Sequence, residues 1–600
     1  MKGGNQVPRL KSHPEVSRQS MIELMKVALG EAEADLAIVN GSIVNVYTGE
    51  VLSGDTVLVK GDKIAYVGKN TGKSIGHSTT VIDAIGKTLV PGFIDGHTHL
   101  DFIYSISELA RYAMKGGTTT IITELSGLVF PMGYQGIIEF LRSAHNQPIK
   151  FFITAPPMVS INPVAREHAL NVGELRRLLR RKEVLGLGEL YWAPVVDGDP
   201  RSLDLIAETI KAGKKVEGHS AGARGNKLQA YISLGISSCH EPTTAEEALE
   251  RLRAGLTVFA REGVGRSDLE AISKIKDAKI DFRRLALATD GLEPDQLINQ
   301  GYMDFVVQKA IKLGFDPVLA IQMATINVAQ HFAIDDTIGG IAPGKYADII
   351  IVPDLRAIRA EYVISNGRVI VKDGELVVSP RKHNYPKSAQ NTIRLPRSLD
   401  ANDFSVAVKG GRRQVKVRVV DMVTDSLTKI ALADIPVVGG FAQLDTSQDV
   451  VKVAAIDRAN QPGKTFVGFI RGTGLKHGAV ASSMPTDCWD IIVIGASEAD
   501  MAQAVNRLAE LRGGIVACAN SKVLAELALP IASVLSPEPM EVVAAKLRSV
   551  KQAAAELGCV LADIRSTLAF LGSEAIPFVR ICEQGLIDLK QNRIVDLIAD

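Results

Sequence analysis

Two histidines separated by one residue, His97 and His99, are the first side chains in this sequence whose types and spacing could bind a metal ion. Side chains at positions i and i+2 of a β-strand point to the same face, so both imidazoles could contact one ion at the end of a strand. The spacing alone leaves an unrelated pair on a polar strand face as an equally good interpretation.

More residues of metal-ligand type end later strand-like segments in the same way. They are Glu189 after segment 184–188, His219 after 215–218, His240 after 236–239, and Asp290 after 285–289. Four histidines and two carboxylates at the ends of five segments indicate a site for hard or borderline divalent metals, in which one carboxylate can bridge two ions. A lone His240 or Glu189 would more often be a hydrogen-bonded structural residue, so the prediction depends on the whole set.

The segments that carry these residues belong to a longer alternation of apolar runs and helical patterns. The runs are 119–123, 151–155, 185–190, 216–219, 236–239, 257–261 and 285–289. About eight such βα units over roughly 250 residues predict an α/β fold, a TIM-like (β/α)8 barrel over residues 91–337. Active sites of that fold lie at the C-terminal ends of the strands, where the six candidate ligands fall.

Short β-rich runs separated by glycine-containing turns flank the predicted barrel on both sides. They are 36–39, 42–45, 55–60 and 63–67 before it, and 347–352, 360–365 and 368–371 after it. We expect residues 31–90 and 338–395 to complete one split small β-sandwich domain. Residues 1–30 are expected to form an N-terminal extension with a helix over 20–29.

A proline-containing stretch with several basic residues follows Val378, and its composition predicts a linker. The β-rich and helical patterns in the region after it, 396–600, predict an additional α+β domain. Its expected strands are 415–420, 451–455, 466–470 and 491–494, and its expected helices are 498–511 and 539–557.

The composition of the 600 residues excludes several classes of protein. There are 68 Lys and Arg against 67 Asp and Glu, so no overall charge points to nucleic acid or an anionic membrane as a partner. The five cysteines are scattered without a CxxC pair, which argues against a disulfide framework or a cysteine-based zinc site. No apolar run reaches the roughly 18 residues of a membrane span, and the polar start does not resemble a signal peptide. We therefore expect a cytoplasmic protein.

Residues 91–99, Pro-Gly-Phe-Ile-Asp-Gly-His-Thr-His, resemble the first-strand motif of the amidohydrolase superfamily, metal-dependent hydrolases on a TIM barrel with a small flanking β domain. More narrowly, the chain resembles bacterial adenine deaminases over about 36–586, and a long C-terminal region is characteristic of that family. The similar segments are 218–222 with 227–231, 240–249, 325–329 with 339–348, and 474–483 with 500–508.

The resemblance implies a role for each candidate ligand. His97 and His99 would hold one metal ion and His219 and His240 the other. Glu189 would bridge the two ions, and Asp290 would bind beside the attacking water. Family members use manganese or iron, and zinc is a third candidate. The implied substrate is a small purine-like molecule, and related barrels often associate, so a homo-oligomer is expected.

The implied reaction is hydrolytic deamination, with adenine converted to hypoxanthine and ammonia by a metal-bridged hydroxide. Asp290, ionised near neutral pH, can orient the hydroxide and accept its proton. A protonated carboxylate must then supply a proton to the leaving amine, and Asp290 and Glu241 are the candidates. An outward carboxylate that fixes the His240 loop is an equally good interpretation of Glu241.

Four departures from the family pattern fall where substrate would be recognised. Family residues Glu-Ser-Ser, Asp-Pro-His-Glu, Asp-Arg-His-Pro and His-Asp-Ser-His are replaced by 101–103 (Asp-Phe-Ile), 124–127 (Glu-Leu-Ser-Gly), 291–294 (Gly-Leu-Glu-Pro) and 486–489 (Thr-Asp-Cys-Trp). The metal chemistry is thus retained while the recognition residues differ.

These departures leave alternative functions open. One is deamination of an N6-substituted adenine or another amino-heterocycle, and another is opening of a cyclic amide by hydrolysis. A non-catalytic homologue is a third, and it is disfavoured because all six ligand positions keep competent side chains.

Overall fold

The computed structural model of the protein describes residues 17–69, 71–158, 162–167, 169–263, 266–576 and 578–599. Residues 1–16 of the predicted N-terminal extension therefore lie outside the described residues. The extension's helix is α1, Arg18–Ala28, close to the predicted 20–29. The Ser17 hydroxyl accepts a hydrogen bond from the Ser20 amide and so satisfies one of the free N–H groups at the start of this helix.

Five strands follow α1 and lead to the barrel. They are β1 Leu36–Asn45, β2 Glu50–Lys60, β3 Lys63–Gly68, β4 Thr80–Asp83 and β5 Thr88–Pro91. Strands β1, β2 and β3 pair antiparallel, while β4 and β5 lie parallel to β1.

The predicted alternation of strands and helices is present from Phe93 to His331. The strands are β6 Phe93–His99, β7 Ile103–Tyr104, β8 Thr118–Glu124, β9 Lys150–Ala155, β10 Val184–Tyr191, β11 Lys215–His219, β12 Ser238–Cys239, β13 Thr257–Gly263, β14 Arg266–Ser267 and β15 Leu285–Ala288. The helices are α2 Ile106–Lys115, α3 Val129–Met132, α4 Tyr134–Ala144, α5 Pro163–Glu167, α6 Val172–Leu179, α7 Trp192–Val196, α8 Pro200–Lys211, α9 Gly225–Ser233, α10 Ala245–Arg253, α11 Leu269–Ile272, α12 Pro294–Asn299, α13 Met303–Lys312, α14 Pro317–Met323 and α15 Ile326–His331.

Eight of these strands are parallel and follow one another in sequence order. Strands β6, β8, β9, β10 and β11 form one sheet, and β12, β13 and β15 form a second. Backbone hydrogen bonds join the two sheets at both edges, from Ser237 N to Val216 O (2.9 Å) and from Asp290 N to His97 O (3.0 Å). The curled parallel sheet confirms the predicted α/β fold class, and it gathers the C-terminal ends of the strands at one face.

The strands after the barrel return to the first sheet. They are β16 Ile349–Val352, β17 Tyr362–Ser365, β18 Arg368–Lys372 and β19 Glu375–Leu376. Strand β16 pairs antiparallel with β5, so two distant parts of the chain complete one nine-stranded sheet within the described residues. Apolar side chains from both parts, such as Val57 and Ile349, are fully buried in its core. Strand β5 thereby fixes the start of β6 two residues later.

The C-terminal part contains a long mixed sheet and three α-helices. Its strands are β20 Val406–Ala407, β21 Gln414–Met422, β22 Thr428–Val438, β23 Phe441–Ala442, β24 Val450–Ile456, β25 Thr465–Arg471, β26 Ala479–Ser482, β27 Ile491–Gly495, β28 Gly514–Ala519, β29 Lys522–Ala528, β30 Leu535–Ser536, β31 Val579–Cys582, β32 Gly585–Asp588 and β33 Arg593–Val595. Its helices are α16 Glu498–Glu510, α17 Met540–Glu556 and α18 Ile564–Phe570.

The C-terminal part is joined to the barrel through both backbone and core. Strand β30 pairs in parallel with β7 of the barrel, just after the first metal-ligand strand β6. One apolar cluster is continuous from Ile121 and Leu187 in the barrel to Trp489 and Leu547 in the C-terminal part. The C-terminal part is therefore held against the face where the parallel strands end. In the described part of the chain, no helix combines the length and the apolar character that crossing a membrane requires.

Candidate metal centre

His97 and His99 lie at the end of β6 and are held there by a buried carboxylate. Asp95, fully buried on the same strand, accepts hydrogen bonds from the Thr289 hydroxyl (2.6 Å) and the Thr289 amide (3.2 Å) on the neighbouring segment. Burial raises the pKa of Asp95 to about 6, against the hydrogen bonds from Thr289. Asp95 thus fixes the end of β6 against the segment that carries Asp290.

Asp290 follows β15 in a left-handed backbone conformation with φ of 56°. Aspartate tolerates this region better than most residues, and it turns the carboxylate toward the histidines. Asp290 Oδ1 lies 3.3 Å from His97 Nε2 and 3.5 Å from His99 Nε2. The three side chains supply ligand atoms close enough to share one ion.

Glu189 ends β10 between two of the histidines. Its Oε1 lies 3.6 Å from His99 Nε2, and its Oε2 lies 3.1 Å from His240 Nε2. The His97 and His240 rings stack with their centroids 3.8 Å apart, and the His219 ring meets that of His240 at 5.3 Å. All six predicted ligands are therefore brought together, with Glu189 in contact with both groups of histidines.

Glu241 and Arg261 complete the cluster. Glu241 Oε1 lies 3.3 Å from His219 Nε2 and 3.2 Å from His240 Nε2, and the residue is only 6% exposed. The interpretation of Glu241 as an outward carboxylate is therefore wrong. Arg261 Nη1 donates to both Glu241 (2.6 Å) and Asp290 (2.8 Å), while its Nε donates to Asp268 (2.7 Å).

Burial and the charges of the cluster shift the pKa values of its members in opposite directions. Burial, with His240 nearby, lowers the pKa of His97 to about 4. Burial also disfavours the charged form of His99, but contacts with Asp290 and Glu189 outweigh it and raise that pKa to about 9. Although burial opposes ionisation of Asp290, Arg261 and the two histidines of β6 hold its pKa well below the usual range.

The donor set fits divalent metal ions. The residues form three overlapping groups, and within each group the ligand atoms lie within 4.8 Å of one another. The groups are His97 with His99 and Asp290, His97 with Glu189 and His240, and His219 with His240 and Glu241. His97 Nε2 and Glu189 Oε2 are buried without a hydrogen bond of normal geometry. Imidazoles and carboxylates are the ligands of manganese, iron and zinc, so cations would satisfy these buried atoms.

A cavity of about 540 Å³ opens from this cluster. Barrel residues form one wall, and loops and helix α18 of the C-terminal part form the other. The lining includes aromatic and aliphatic side chains together with charged ones. Among them are Phe102, Ile103, Phe130, Met158, Leu292, Phe570, Asp425, Asp487, Lys551, Asp563 and Arg565. A mostly apolar cavity with a few polar groups is the usual form of a small-molecule site.

Three residues that line the cavity were not assigned a role from the sequence alone. Glu124 ends β8, where burial and Glu189 raise its pKa to about 8. Arg261 lies in β13, a predicted strand, and its position beside strands that end in metal ligands is the one signal that could have identified it. Tyr191 follows Glu189 by two residues and donates to Asp487 of the C-terminal part (2.8 Å).

The residues that depart from the family pattern have different surroundings. Phe102 and Ile103 line the cavity, whereas the Asp101 carboxylate accepts from the amides of Ser126 and Leu128 and so holds the loop after β8. Glu293 lies at the cavity and forms ion pairs with two basic residues of the C-terminal part, Lys551 and Arg565. Asp487 lines the cavity, while Cys488 and Trp489 are buried outside its lining.

Comparisons with known proteins agree with this architecture. The Amidohydrolase family model matches residues 88–375, and the model of the adenine deaminase C-terminal domain matches residues 425–593. Adenine deaminases from Moorella thermoacetica and Mesorhizobium japonicum are each 37% identical over 583 residues, which is 96% of this chain and 98% and 96% of theirs. The adenine deaminase of Cenarchaeum symbiosum is 36% identical over 97% of this chain and 95% of its own.

The fold and the matching family model are those of the amidohydrolases. Within that class, the similarity over nearly the whole chain shows that the protein belongs to the adenine deaminase family.

Proposed function

We propose that this protein is a metal-dependent hydrolase that converts adenine and water to hypoxanthine and ammonia. The observation that carries the proposal is the cluster of six ligand-type side chains, five of which line a cavity that an adenine-deaminase-type C-terminal domain closes. The full-length relatives named adenine deaminase support the choice of substrate.

The metal ions are proposed to be two, manganese or iron in preference to zinc. His97 and His99 would hold one ion, His219 and His240 the other, and Glu189 would lie between them. The contacts of Glu189 Oε1 with His99 (3.6 Å) and Oε2 with His240 (3.1 Å) support this division. When bound, the cations would supply Lewis acidity that lowers the pKa of water toward neutrality.

Asp290 is the proposed base and then the proposed acid. Because Arg261 holds its carboxylate ionised, Asp290 can accept a proton from the water that attacks C6 of the purine. The same carboxyl group can then return the proton to the exocyclic nitrogen, so that the C6–N bond breaks and ammonia leaves. Water supplies the oxygen of hypoxanthine, and one proton passes through Asp290.

Glu241 is proposed to position its neighbours rather than to donate the proton. Burial opposes its ionisation, but Arg261 and His219 hold the pKa of its carboxyl group well below the usual range. An ionised Glu241 can orient the Arg261 guanidinium, which in turn contacts Asp290. Arg261 holds both carboxylates ionised, so Asp290 is preferred as the acid because it is the group proposed to have accepted the proton of the attacking water.

A second candidate substrate is an N6-substituted adenine or another amino-heterocycle. The cavity of about 540 Å³ exceeds the volume of a purine, and Phe102 and Ile103 offer an apolar wall for a substituent. Apolar contacts of this kind favour a larger substrate but reject a smaller one only weakly.

A substrate panel tests the function. Protein purified with manganese is incubated with adenine, N6-methyladenine, guanine and a cyclic ureide, while ammonia and the ultraviolet spectrum are followed. We expect ammonia from adenine with an intact purine chromophore. Methylamine from N6-methyladenine at a higher kcat/KM would favour the second candidate, and loss of the chromophore would favour ring opening. Absence of bound metal together with no turnover of any compound would overturn the enzymatic function.

The role of Asp290 is tested by replacing it with asparagine. Asp290→Asn keeps the size of the side chain but cannot take up the proton, so kcat for adenine should fall about 10³-fold or more. Asp277→Asn is the matched control, since Asp277 has a side chain 85% exposed and lies outside the cavity. Full activity of Asp290→Asn would contradict the mechanism.

A further inference from the structure

We propose that Glu217, together with His331, is a positioning element that sets the distance between His219 and His240, the proposed ligands of the second metal ion. The inference rests on the proposed function, because it takes the division of the ligands between two ions from it. The observations that carry it are a break in the parallel sheet between the two histidines and a buried polar network that crosses this break.

The two histidines lie on opposite sides of a seam, the junction of β11 with β12 where the two sheets of the barrel meet. Strand β11 ends in His219 and belongs to one sheet, while β12, which precedes His240, belongs to the other. A backbone hydrogen bond from Ser237 N to Val216 O (2.9 Å) joins the two sides. Because the strands belong to different sheets, regular backbone pairing does not fix the separation of the histidines.

Glu217 bridges the seam with both carboxylate oxygens. It lies two residues before His219 on β11 and is 2% exposed. Its Oε2 accepts a hydrogen bond from the Ser238 hydroxyl (2.6 Å), and its Oε1 accepts one from the Ser237 hydroxyl (3.1 Å). Both bonds therefore reach the segment that leads directly to His240.

His331 extends the network to a third strand. Buried at the end of α15, it places Nε2 2.8 Å from Glu217 Oε1 and Nδ1 2.9 Å from the hydroxyl of Thr257, the first residue of β13. The His331 ring also packs edge-on against Phe259, with 5.3 Å between ring centroids. Buried networks of this kind add little net stability, but when satisfied they specify one arrangement of the elements that they join.

The other seam, where β15 meets β6, has a matching arrangement. There Asp95, two residues before His97, accepts a hydrogen bond from the hydroxyl of Thr289 (2.6 Å), which precedes Asp290. Residues 217–219 read Glu-Gly-His, and the segment from Asp95 to His97 reads Asp-Gly-His. At each seam a buried carboxylate thus links a ligand-bearing strand to the segment that carries a ligand on the other side.

The glycine of the Glu-Gly-His segment allows the close approach that this link needs. A Cβ on Gly218 would lie 2.6 Å from Ser238 O and 2.4 Å from the Ile236 side chain. The backbone of Ser238 cannot move away without disturbing the strand, so a side chain here would push the two strands apart. Gly218 therefore keeps the Ser238 hydroxyl within reach of Glu217.

The competing explanation is that the network serves only the stability of the barrel. Replacing both partners of a buried polar pair by apolar residues of similar shape is often nearly neutral for stability, so the double variant Glu217→Leu with His331→Phe separates the two roles. A role in stability alone predicts normal metal binding by the folded variant. Positioning predicts a folded variant that binds the second ion weakly.

The experiment measures how many manganese ions each protein holds. Manganese-loaded protein is dialysed against a series of free Mn²⁺ concentrations, bound metal is determined by elemental analysis, and the melting temperature is recorded. We expect two ions per wild-type chain. In the double variant, the first ion should bind as in wild type and the affinity for the second should fall about 10- to 100-fold, with little change in melting temperature.

Glu217→Gln keeps the shape of the side chain and one acceptor oxygen, so its affinity for the second ion should fall about three- to tenfold. This variant decides the question if the double variant does not fold, and unchanged affinity for both ions in it would then overturn the inference.

The matched control is Lys150→Met with Asp348→Leu. These residues form a buried ion pair of 2.7 Å at the start of β9, the opposite end of the barrel strands from the ligands. The control should keep both affinities. An equal loss of the second ion in the control, or wild-type affinities in the folded Glu217→Leu/His331→Phe protein, overturns the inference alone. Binding of one ion by wild-type protein also overturns it, whereas binding of none overturns the proposed function as well.

Discussion

The two walls of the cavity are built in different ways. The barrel wall takes its candidate functional side chains from the C-terminal ends of parallel strands: His99 and His219 end β6 and β11, and Asp290 follows β15 by two residues. In the C-terminal wall, Asp487 and Asp563 belong to loops. These loops are distant from the barrel strands in sequence and lie beside the barrel only in the folded chain. The comparison indicates that the candidate metal ligands lie on regular strands, while the opposite wall contains loops that can vary in sequence without disturbing those strands.

A small ionic network holds the two walls together. Glu293, after the last barrel strand, lies 2.8 Å from Lys551 and 3.1 Å from Arg565. All four segments that depart from the family pattern place residues on the cavity, and Glu293 is one of these residues. The changes are therefore concentrated where the walls meet and where substrate would be recognised.

The largest effect is predicted for the substitution of a proposed metal ligand in the barrel. His97→Ala removes an imidazole that lies within reach of Asp290 and stacks on His240, so one metal position loses a ligand. We expect kcat/KM for adenine to fall about 10³-fold or more and the bound metal, measured by elemental analysis, to decrease. His477→Ala, at an exposed histidine, should change neither quantity. Unchanged metal content in His97→Ala would remove His97 from the proposed ligands.

A smaller effect is predicted for the residue that connects the carboxylates of the barrel wall. Arg261→Lys keeps a cation, but a single ammonium group cannot reproduce the fork that reaches Glu241, Asp290 and Asp268. We expect kcat/KM to fall about 100-fold, mostly through kcat, because Asp290 loses its orientation.

The matched substitution for that prediction is Arg266→Lys. Arg266 also lines the cavity, but its nearest approach to Glu241 is 3.8 Å and its side chain is 39% exposed. Its replacement should change kcat/KM less than about tenfold. Equal effects of the two substitutions would contradict the special role of Arg261.

The smallest effect is predicted in the C-terminal wall and concerns stability. Burial and Asp487 raise the pKa of Glu574 to about 8, from an ordinary value of 4.5. Because the folded state favours the protonated form, the wild-type protein should lose stability as pH rises from about 4.5 through about 8. Glu574→Gln removes this titration, so its melting temperature should exceed the wild-type value by about 2–4 °C at pH 9 but not at pH 5. A difference independent of pH would contradict the assignment.

The barrel wall could be predicted from the sequence because its residues follow a local rule. A ligand-type side chain at the end of an apolar run identifies Glu189, His219 and His240 without knowledge of long-range contacts, and each lies in the cluster. The strands themselves were predicted closely, for instance β13, expected over 257–261 and observed over Thr257–Gly263. The sixth strand is shorter than predicted, since only Ser238–Cys239 pairs regularly with β13.

The C-terminal wall could not be predicted in the same way. The contact between Tyr191 and Asp487 joins residues almost 300 positions apart, and no local pattern marks either side chain. The role of Arg261 could not be predicted for a different reason. The pattern at the strand ends predicts metal ligands, and arginine is not a metal ligand. Its role is visible only when Glu241 and Asp290 are seen on either side of its guanidinium.

The most direct test of the central claim follows the atoms of the proposed reaction. Adenine labelled with ¹⁵N at the exocyclic amine is incubated with the manganese-loaded protein in H₂¹⁸O, and the products are analysed by mass spectrometry. The account predicts one ¹⁵N-ammonia for each hypoxanthine formed, with ¹⁸O at C6 of the intact purine. Retention of ¹⁵N in a ring-opened product, or no reaction by protein that contains its metal, would contradict it.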